Sequence, residues 1–302
     1  MRRGVHIILY AMFGADEALD RAAMRRQVEL CLKAEVAGIA ALGLATEVAK
    51  LSFVERCQLV DWVAEDVNGR SALGFTIYGQ SVAEQLAMVR HAESAGAGWL
   101  VLQPPQVGTY PAEEYLSFFS RVMDRTGLAC AIQNAPQYLG RSLSDADIGV
   151  LRRRHANFTL IKAEATAEDA ARLKAIAGPD FMVFNGRGGL DMISCLDGGC
   201  DGFLLAPDLA DYGARVMRLY DEGQRDAALA LHRDVLPAIT FIMRSLEHLV
   251  CYGKRAFALR AGLEVFDRAP ALRPDGAELA EMKRLLAELS PFPLPYSEAS
   301  GP

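Results

Sequence analysis

Short apolar runs alternate along this chain with longer stretches whose apolar positions return every three or four residues, the pattern of strand followed by helix. Strands are predicted at Val5–Tyr10, Ile39–Gly43, Ala72–Tyr78, Trp99–Gln103, Ala129–Gln133, Phe158–Lys162, Phe181–Asn185 and Gly202–Ala206. Amphipathic helices are predicted between them at Met24–Ala37, Phe53–Val67, Ala83–Ala95, Ala112–Thr126, Asp145–Arg154 and Ala167–Ala177. Ser52 ahead of Glu55, and Ser144 ahead of Asp145 and Asp147, supply capping oxygens and first-turn acids. After the eighth strand the pattern is helical only: Leu209–Glu222, then Arg225–His248, Gly253–Ala261 and Gly276–Leu289. Pro291 to Pro302 carries the Pro, Ser and Gly signals of a disordered end.

Strands alternating with helices leave a closed barrel or an open doubly wound sheet. No GxGxxG follows the first strand, so a dinucleotide fold lacks its main support. Strand count and even spacing favour the α/β class with a (β/α)8 TIM barrel over residues 1–224, followed by a C-terminal helical extension over 225–302. In such barrels the chemistry sits where strands end and βα loops begin. Here those ends are polar: Tyr10, Thr46 and Glu47, Tyr78, Gln103, Gln133 and Asn134, Lys162, and Asn185.

Lys162 ends the apolar run Phe158-Thr-Leu-Ile161. Burial of an amine favours its neutral form. A neutral amine attacks carbonyls, and the protonated imine that results is an electron sink. A snorkelling or salt-bridged lysine at a strand end is the alternative reading of the same spacing.

Bulk composition narrows the partners. Net charge is -6, which argues against a general affinity for nucleic acid. No run of eighteen apolar residues marks a membrane span, and Met1-Arg-Arg-Gly with Val5 to Phe13 only weakly imitates a signal peptide. The six cysteines form no CxxC pair, which fits reduced, buried thiols in a cytoplasmic protein. The five histidines show no HxH or HExxH spacing, and no metal or cofactor is expected. Gly186-Arg187-Gly188-Gly189 reads either as a tight turn with a solvent-facing arginine or as an anion clamp.

From about Gly4 to Leu263 the chain resembles the dihydrodipicolinate synthase and N-acetylneuraminate lyase superfamily, the pyruvate-type class I aldolases. The resemblance runs through Asp20, Gly43-Leu-Ala-Thr-Glu47 with Leu51-Ser52 and Glu55-Arg56, Gly79, Pro104-Pro105, and Asn134-Ala-Pro136 with Gly140. It continues through Ile161-Lys162-Ala-Glu164, Asn185-Gly186, Gly198-Gly199-Cys-Asp-Gly202 and Tyr252-Gly-Lys254. It implies an imine-forming role for Lys162 and a homo-oligomer, dimer or tetramer.

Three departures stand out. Leu44 and Ala45 occupy the turn where the family places two hydroxyl residues for the substrate carboxylate. Gln133 stands at the family's acid/base tyrosine; an amide hydrogen-bonds but does not exchange a proton near neutral pH. Tyr138 stands where the synthase branch carries an arginine, which argues against dihydrodipicolinate synthesis itself.

The resulting expectation is a Schiff-base lyase, of aldolase or dehydratase type, acting on a small 2-oxo acid or aldehyde. Lys162 is the nucleophile, Gln133 orients the carbonyl or a water, and Tyr138 donates a proton. Leu44, Ala45, Thr46, Glu47, Asn134, Gly186, Arg187 and Phe203 line the pocket. A non-catalytic small-acid-binding barrel and a phosphate-binding barrel enzyme without imine chemistry are the competing classes.

Overall fold

A computed structural model describes residues 2–34, 36–140 and 142–295. Eight parallel strands close into one barrel in chain order, with the eighth pairing back onto the first. They are β1 (Gly4–Ile8), β2 (Gly38–Ala41), β3 (Ala72–Ile77), β4 (Trp99–Leu102), β5 (Ala129–Asn134), β6 (Phe158–Ala163), β7 (Met182–Asn185) and β8 (Gly202–Leu205). The chain is therefore a (β/α)8 TIM barrel, and each strand falls within two residues of its predicted place at either end.

The helices around it are α1 (Arg21–Leu32), α2 (Phe53–Val67), α3 (Val82–Ser94), α4 (Ala112–Met123), α5 (Pro136–Leu139), α6 (Asp145–Arg154), α7 (Ala167–Ala177), α8 (Met192–Asp197) and α9 (Pro207–Asp221). The capping signals act as read. Ser52 and Ser144 each accept from the backbone three residues on, while Glu55 and Asp147 reach back, closing two capping boxes. Asp20 caps α1 by accepting from the N–H of Ala23 at 2.9 Å, so that helix begins three residues before the predicted Met24.

Side chains fill the barrel's lower end. The imidazole of His6 packs edge-on against Trp99 with ring centroids 5.5 Å apart, and against Phe184 at 5.3 Å. Burial holds its pKa down at about 4. His6 is thus a neutral floor residue at the end away from the βα loops. The indole of Trp99 has room because Gly74 faces it: a Cβ there would lie 2.1 Å from the ring.

The tail comprises α10 (Arg225–Ile242), α11 (Leu246–His248), α12 (Lys254–Ala261) and α13 (Gly276–Leu286), with a π-helical stretch at Leu249–Gly253. It builds a second apolar cluster in which Val235, Ile239 and Ile242 of α10 meet Leu209 and Tyr212 of α9. The single helix predicted over Arg225–His248 is broken after Ile242, because Ser245 starts a new N-cap by accepting from the N–H of His248 at 3.1 Å. That break turns Met243 and Leu246 toward the barrel mouth.

Disorder predicted from Pro291 onward is corrected for the first residues of that segment. Phe292 is buried against Phe257, and the N–H of Leu294 donates to Asp211 at 2.7 Å. The remainder, from 296, lies outside the described residues. Among the described residues no single helix is long and apolar enough to cross a membrane.

Candidate active site

Lys162 sits near the C-terminal end of β6, 5% exposed, with its side chain turned into the barrel mouth. Its Nζ lies 2.9 Å from Oε1 of Glu164. The other oxygen of that carboxylate accepts from the backbone N–H of Arg187 at 2.8 Å. Gly186 makes this arrangement possible, since a Cβ there would fall 2.1 Å from the Glu164 carboxylate. Glu164 is thereby fixed from two sides, by the amine and by the loop after β7.

Around Lys162 lies a narrow cavity of about 50 Å3. Its polar lining comes from Lys162, Glu164, Tyr138, Arg187 and Asp208, and the rest is apolar, with Leu44 and Ala45 on one wall and Met243 and Leu246 of the tail over it. Leu44, Tyr138 and Leu246 also border a wider vestibule of about 590 Å3 that continues the cavity outward.

Tyr138, half-buried on α5, faces both spaces. Burial, with the Glu164 charge adding to it, pushes its phenol up to about 12, so near neutral pH it is a proton donor and not a base. Asp208 follows β8 at the start of α9. It is buried, accepts from the hydroxyl of Tyr10 at 2.8 Å, and titrates at about 6 because burial disfavours the carboxylate, with the Tyr10 bond opposing. Two groups able to carry protons therefore meet the space beside Lys162.

Backbone conformation marks the same region. Arg187 (φ 49) and Glu47 (φ 55) adopt left-handed backbone without being glycine. Such residues cost on the order of 1 kcal/mol and gather at functional sites.

The model of the dihydrodipicolinate synthetase family matches residues 1–289. The chain belongs to that family. A 4-hydroxy-tetrahydrodipicolinate synthase of Methanococcoides burtonii is 25% identical over 280 residues, covering 92% of this chain and 94% of the relative. A probable 2-dehydro-3-deoxy-D-pentonate aldolase of Escherichia coli is 24% identical over 260 residues, covering 82% and 84%. The 4-hydroxy-tetrahydrodipicolinate synthase of Methylacidiphilum fumariolicum SolV superposes with a TM-score of 0.88 at 23% identity, covering 95% of each chain, which speaks for the fold. The chain is thus a member of a family of lyases.

Within this family frame the expected site residues separate into groups. Lys162, Leu44, Ala45, Tyr138 and Arg187 line the inner cavity, and Gly186 packs directly beneath Glu164. The guanidinium of Arg187 is engaged by Asp191 at 2.6 Å, so the loop arginine is neither solvent-facing nor a free clamp. Glu47 lines only the vestibule, where it pairs with Lys50 at 2.5 Å and with the buried Lys254. Burial lowers the pKa of Lys254, and Glu47 opposes that.

Others stand apart from the cavity. The hydroxyl of Thr46 donates to the carbonyl of Leu9 at 2.6 Å and accepts from the N–H of Gly43, which makes it a staple of the turn. Asn134 is tied to Leu143 through both its amide atoms, and Phe203 is buried in the core. Gln133 is in register with Lys162 on the neighbouring strand, 1% exposed. Its Oε1 accepts from Nε2 of Gln103 at 2.7 Å, leaving Nε2 of Gln133 and Oε1 of Gln103 without partners.

The polar strand ends therefore make a less polar mouth than their sequence suggests, because several pair with one another below it. Sequence reasoning did not single out Asp208 or Glu164 as site residues, and both line the cavity beside Lys162. Glu164 had a signal, two residues beyond the lysine and just past the end of its strand. Asp208 had only Pro207-Asp208 after a strand, which reads equally as an ordinary helix start.

Proposed function

We propose that this protein is a class I aldolase-type lyase in which Lys162 forms an imine with a 2-oxo acid. The observation that carries the reading is the Lys162 amine, buried at a barrel mouth and held 2.9 Å from Glu164 at the base of a cavity. A carboxylate in that position can take the amine's proton, freeing the nucleophile, and return it to the departing oxygen.

The chemistry balances on these groups. The amine adds to the carbonyl carbon and water leaves, giving the protonated imine. For a 4-hydroxy-2-oxo acid, a base removes the hydroxyl proton and the C3–C4 bond breaks. Its electron pair moves into the iminium, forming an enamine and releasing an aldehyde. The enamine takes a proton at C3, and water then hydrolyses the imine to the shortened oxo acid and free Lys162. Glu164 and Asp208 are the groups suited to accept protons, and the Tyr138 phenol to donate one to the substrate carbonyl oxygen as the imine forms or, in the reverse addition, to the aldehyde oxygen. Gln133, in register with Lys162 on the neighbouring strand, has an N–H without a partner among the described residues.

Carboxylate recognition has replacements for the missing hydroxyls. Leu44 and Ala45 line the cavity, and among the described residues no backbone acceptor meets their N–H groups. Backbone amides of this kind make anion-binding concavities. The phosphate-binding alternative gains no support from Arg187, whose charge Asp191 already meets.

Borohydride reduction in the presence of pyruvate and longer 2-oxo acids, followed by intact-mass analysis, tests the reading. A mass gain of one reduced adduct is expected in the wild type and none in Lys162→Ala. A folded protein that binds an oxo acid yet gives no adduct would overturn it and favour a binding protein.

A further inference from the structure

Beyond the inner cavity, the vestibule is too large and too apolar for the small end of a 2-oxo acid. Its volume of about 590 Å3 is in the range of pockets that enclose a whole ligand. Its walls carry Val48, Leu139, Leu246, Val250, Ala271 and Leu272. Each charged side chain on those walls already has a protein partner. Glu47 meets Lys50 and Lys254, Asp267 meets Arg255 at 2.5 Å, and Glu247 is held by Ser245. Lys50 also donates to the carbonyl of Arg268 at 3.1 Å.

A polyol or a charged tail entering here would meet Gln106 and Tyr138 as the uncharged polar side chains, too few to replace its hydration, and unreplaced hydrogen bonds are costly. An alkyl or aryl tail loses nothing polar and covers the apolar wall. Leu44, Tyr138 and Leu246 border both spaces, so a ligand joined at Lys162 extends its far end into the vestibule.

We infer that the substrate's distal part is an alkyl or aryl group, so that the aldehyde exchanged at this site is apolar and not a sugar-type or amino-acid-derived one. This rests on the imine reading of Lys162 and names the class of its second reactant. Burial of one methylene gives roughly a fourfold gain in binding, so a tail of four carbons or a phenyl ring gives on the order of a hundredfold or more.

The test is a set of 4-hydroxy-2-oxo acids differing only beyond C4, bearing a phenyl, a butyl or a polyol group, assayed for aldehyde release by kcat/KM. Adduct formation with pyruvate is measured in parallel by borohydride trapping. The phenyl and butyl compounds are expected to exceed the polyol by about a hundredfold. Leu272→Asp, at a position 40% exposed where a carboxylate leaves the core untouched, is expected to shrink that ratio at least tenfold, as is Val250→Asp. A pyruvate adduct together with equal or better cleavage of the polyol compound overturns this inference alone, as does a ratio unmoved in both variants. Absence of any adduct overturns the imine reading and this inference with it.

Discussion

At the scale of single residues, the Lys162 site depends on space as much as on charge. Gly186→Ala pushes a methyl into the Glu164 carboxylate and displaces it from the amine. With the carboxylate misplaced, adduct formation is expected to slow by about 10²-fold, with the circular dichroism spectrum unchanged, and Glu164→Gln is expected to match it. Rates of trapping with pyruvate under excess borohydride check this; full-rate trapping in both variants would remove Glu164 from the proton path. Asp208 governs a pH effect of definite sign. Its folded pKa of about 6 is raised from 3.8, so the folded protein keeps a proton that the unfolded chain releases. That contribution is complete below about pH 4 and is lost as pH rises through 6, a change on the order of 3 kcal/mol. Asp208→Asn is therefore expected to gain stability relative to wild type between pH 4 and pH 7, read by urea unfolding at both. A constant difference across that window would show that Asp208 titrates elsewhere. Facing Asp208 are the Tyr10 phenol and the Arg260–Asp211 pair, and both enter the same balance.

Among the elements, what was legible depended on whether the signal was local. The eight strands could be read because each is an apolar run bounded by turn residues, and α2 and α6 because a serine and an acid three residues later mark a helix start. Ser52→Ala is expected to lower stability by about 1 kcal/mol with trapping yield unchanged, a loss that thermal unfolding would register. Helix α8 escaped because Gly186-Arg187-Gly188-Gly189 reads as a loop and the apolar Met192–Asp197 that follows is too short to show a helical period. The break after Ile242 escaped as well, since Met243 to Ser245 carries neither glycine nor proline. For the site, Lys162 was legible as a charged end to an apolar strand. The pairing of Glu47 with Lys254 spans 207 positions, and no local pattern announces it.

For the molecule as a whole, barrel and tail are joined by a buried ionic clamp. Arg260 of α12 binds both oxygens of Asp211 on α9, at 3.0 and 2.5 Å, and also reaches the carbonyls of Asp208 and Ser290. Replacing Arg260 with Met leaves the Asp211 carboxylate buried opposite an apolar group, with an expected cost of about 3–5 kcal/mol. The double change Arg260→Met with Asp211→Asn is expected to recover a large part of that. Additive losses in denaturant melts would mean that the two do not act as a pair.

The roof over Lys162 has a further consequence, in the order of synthesis. Met243, Leu246 and the wall at Val250 follow Lys162 by about eighty residues or more, so they leave a ribosome well after it. A nascent chain can complete its eight strands while its amine still stands open to solvent. On the proposed imine reading, chemistry that needs a roofed cavity begins only after this segment has emerged and packed. A released chain ending near residue 240 is expected to give less adduct with pyruvate than the full chain at matched helical content; trapping at the full-length rate would refute this ordering.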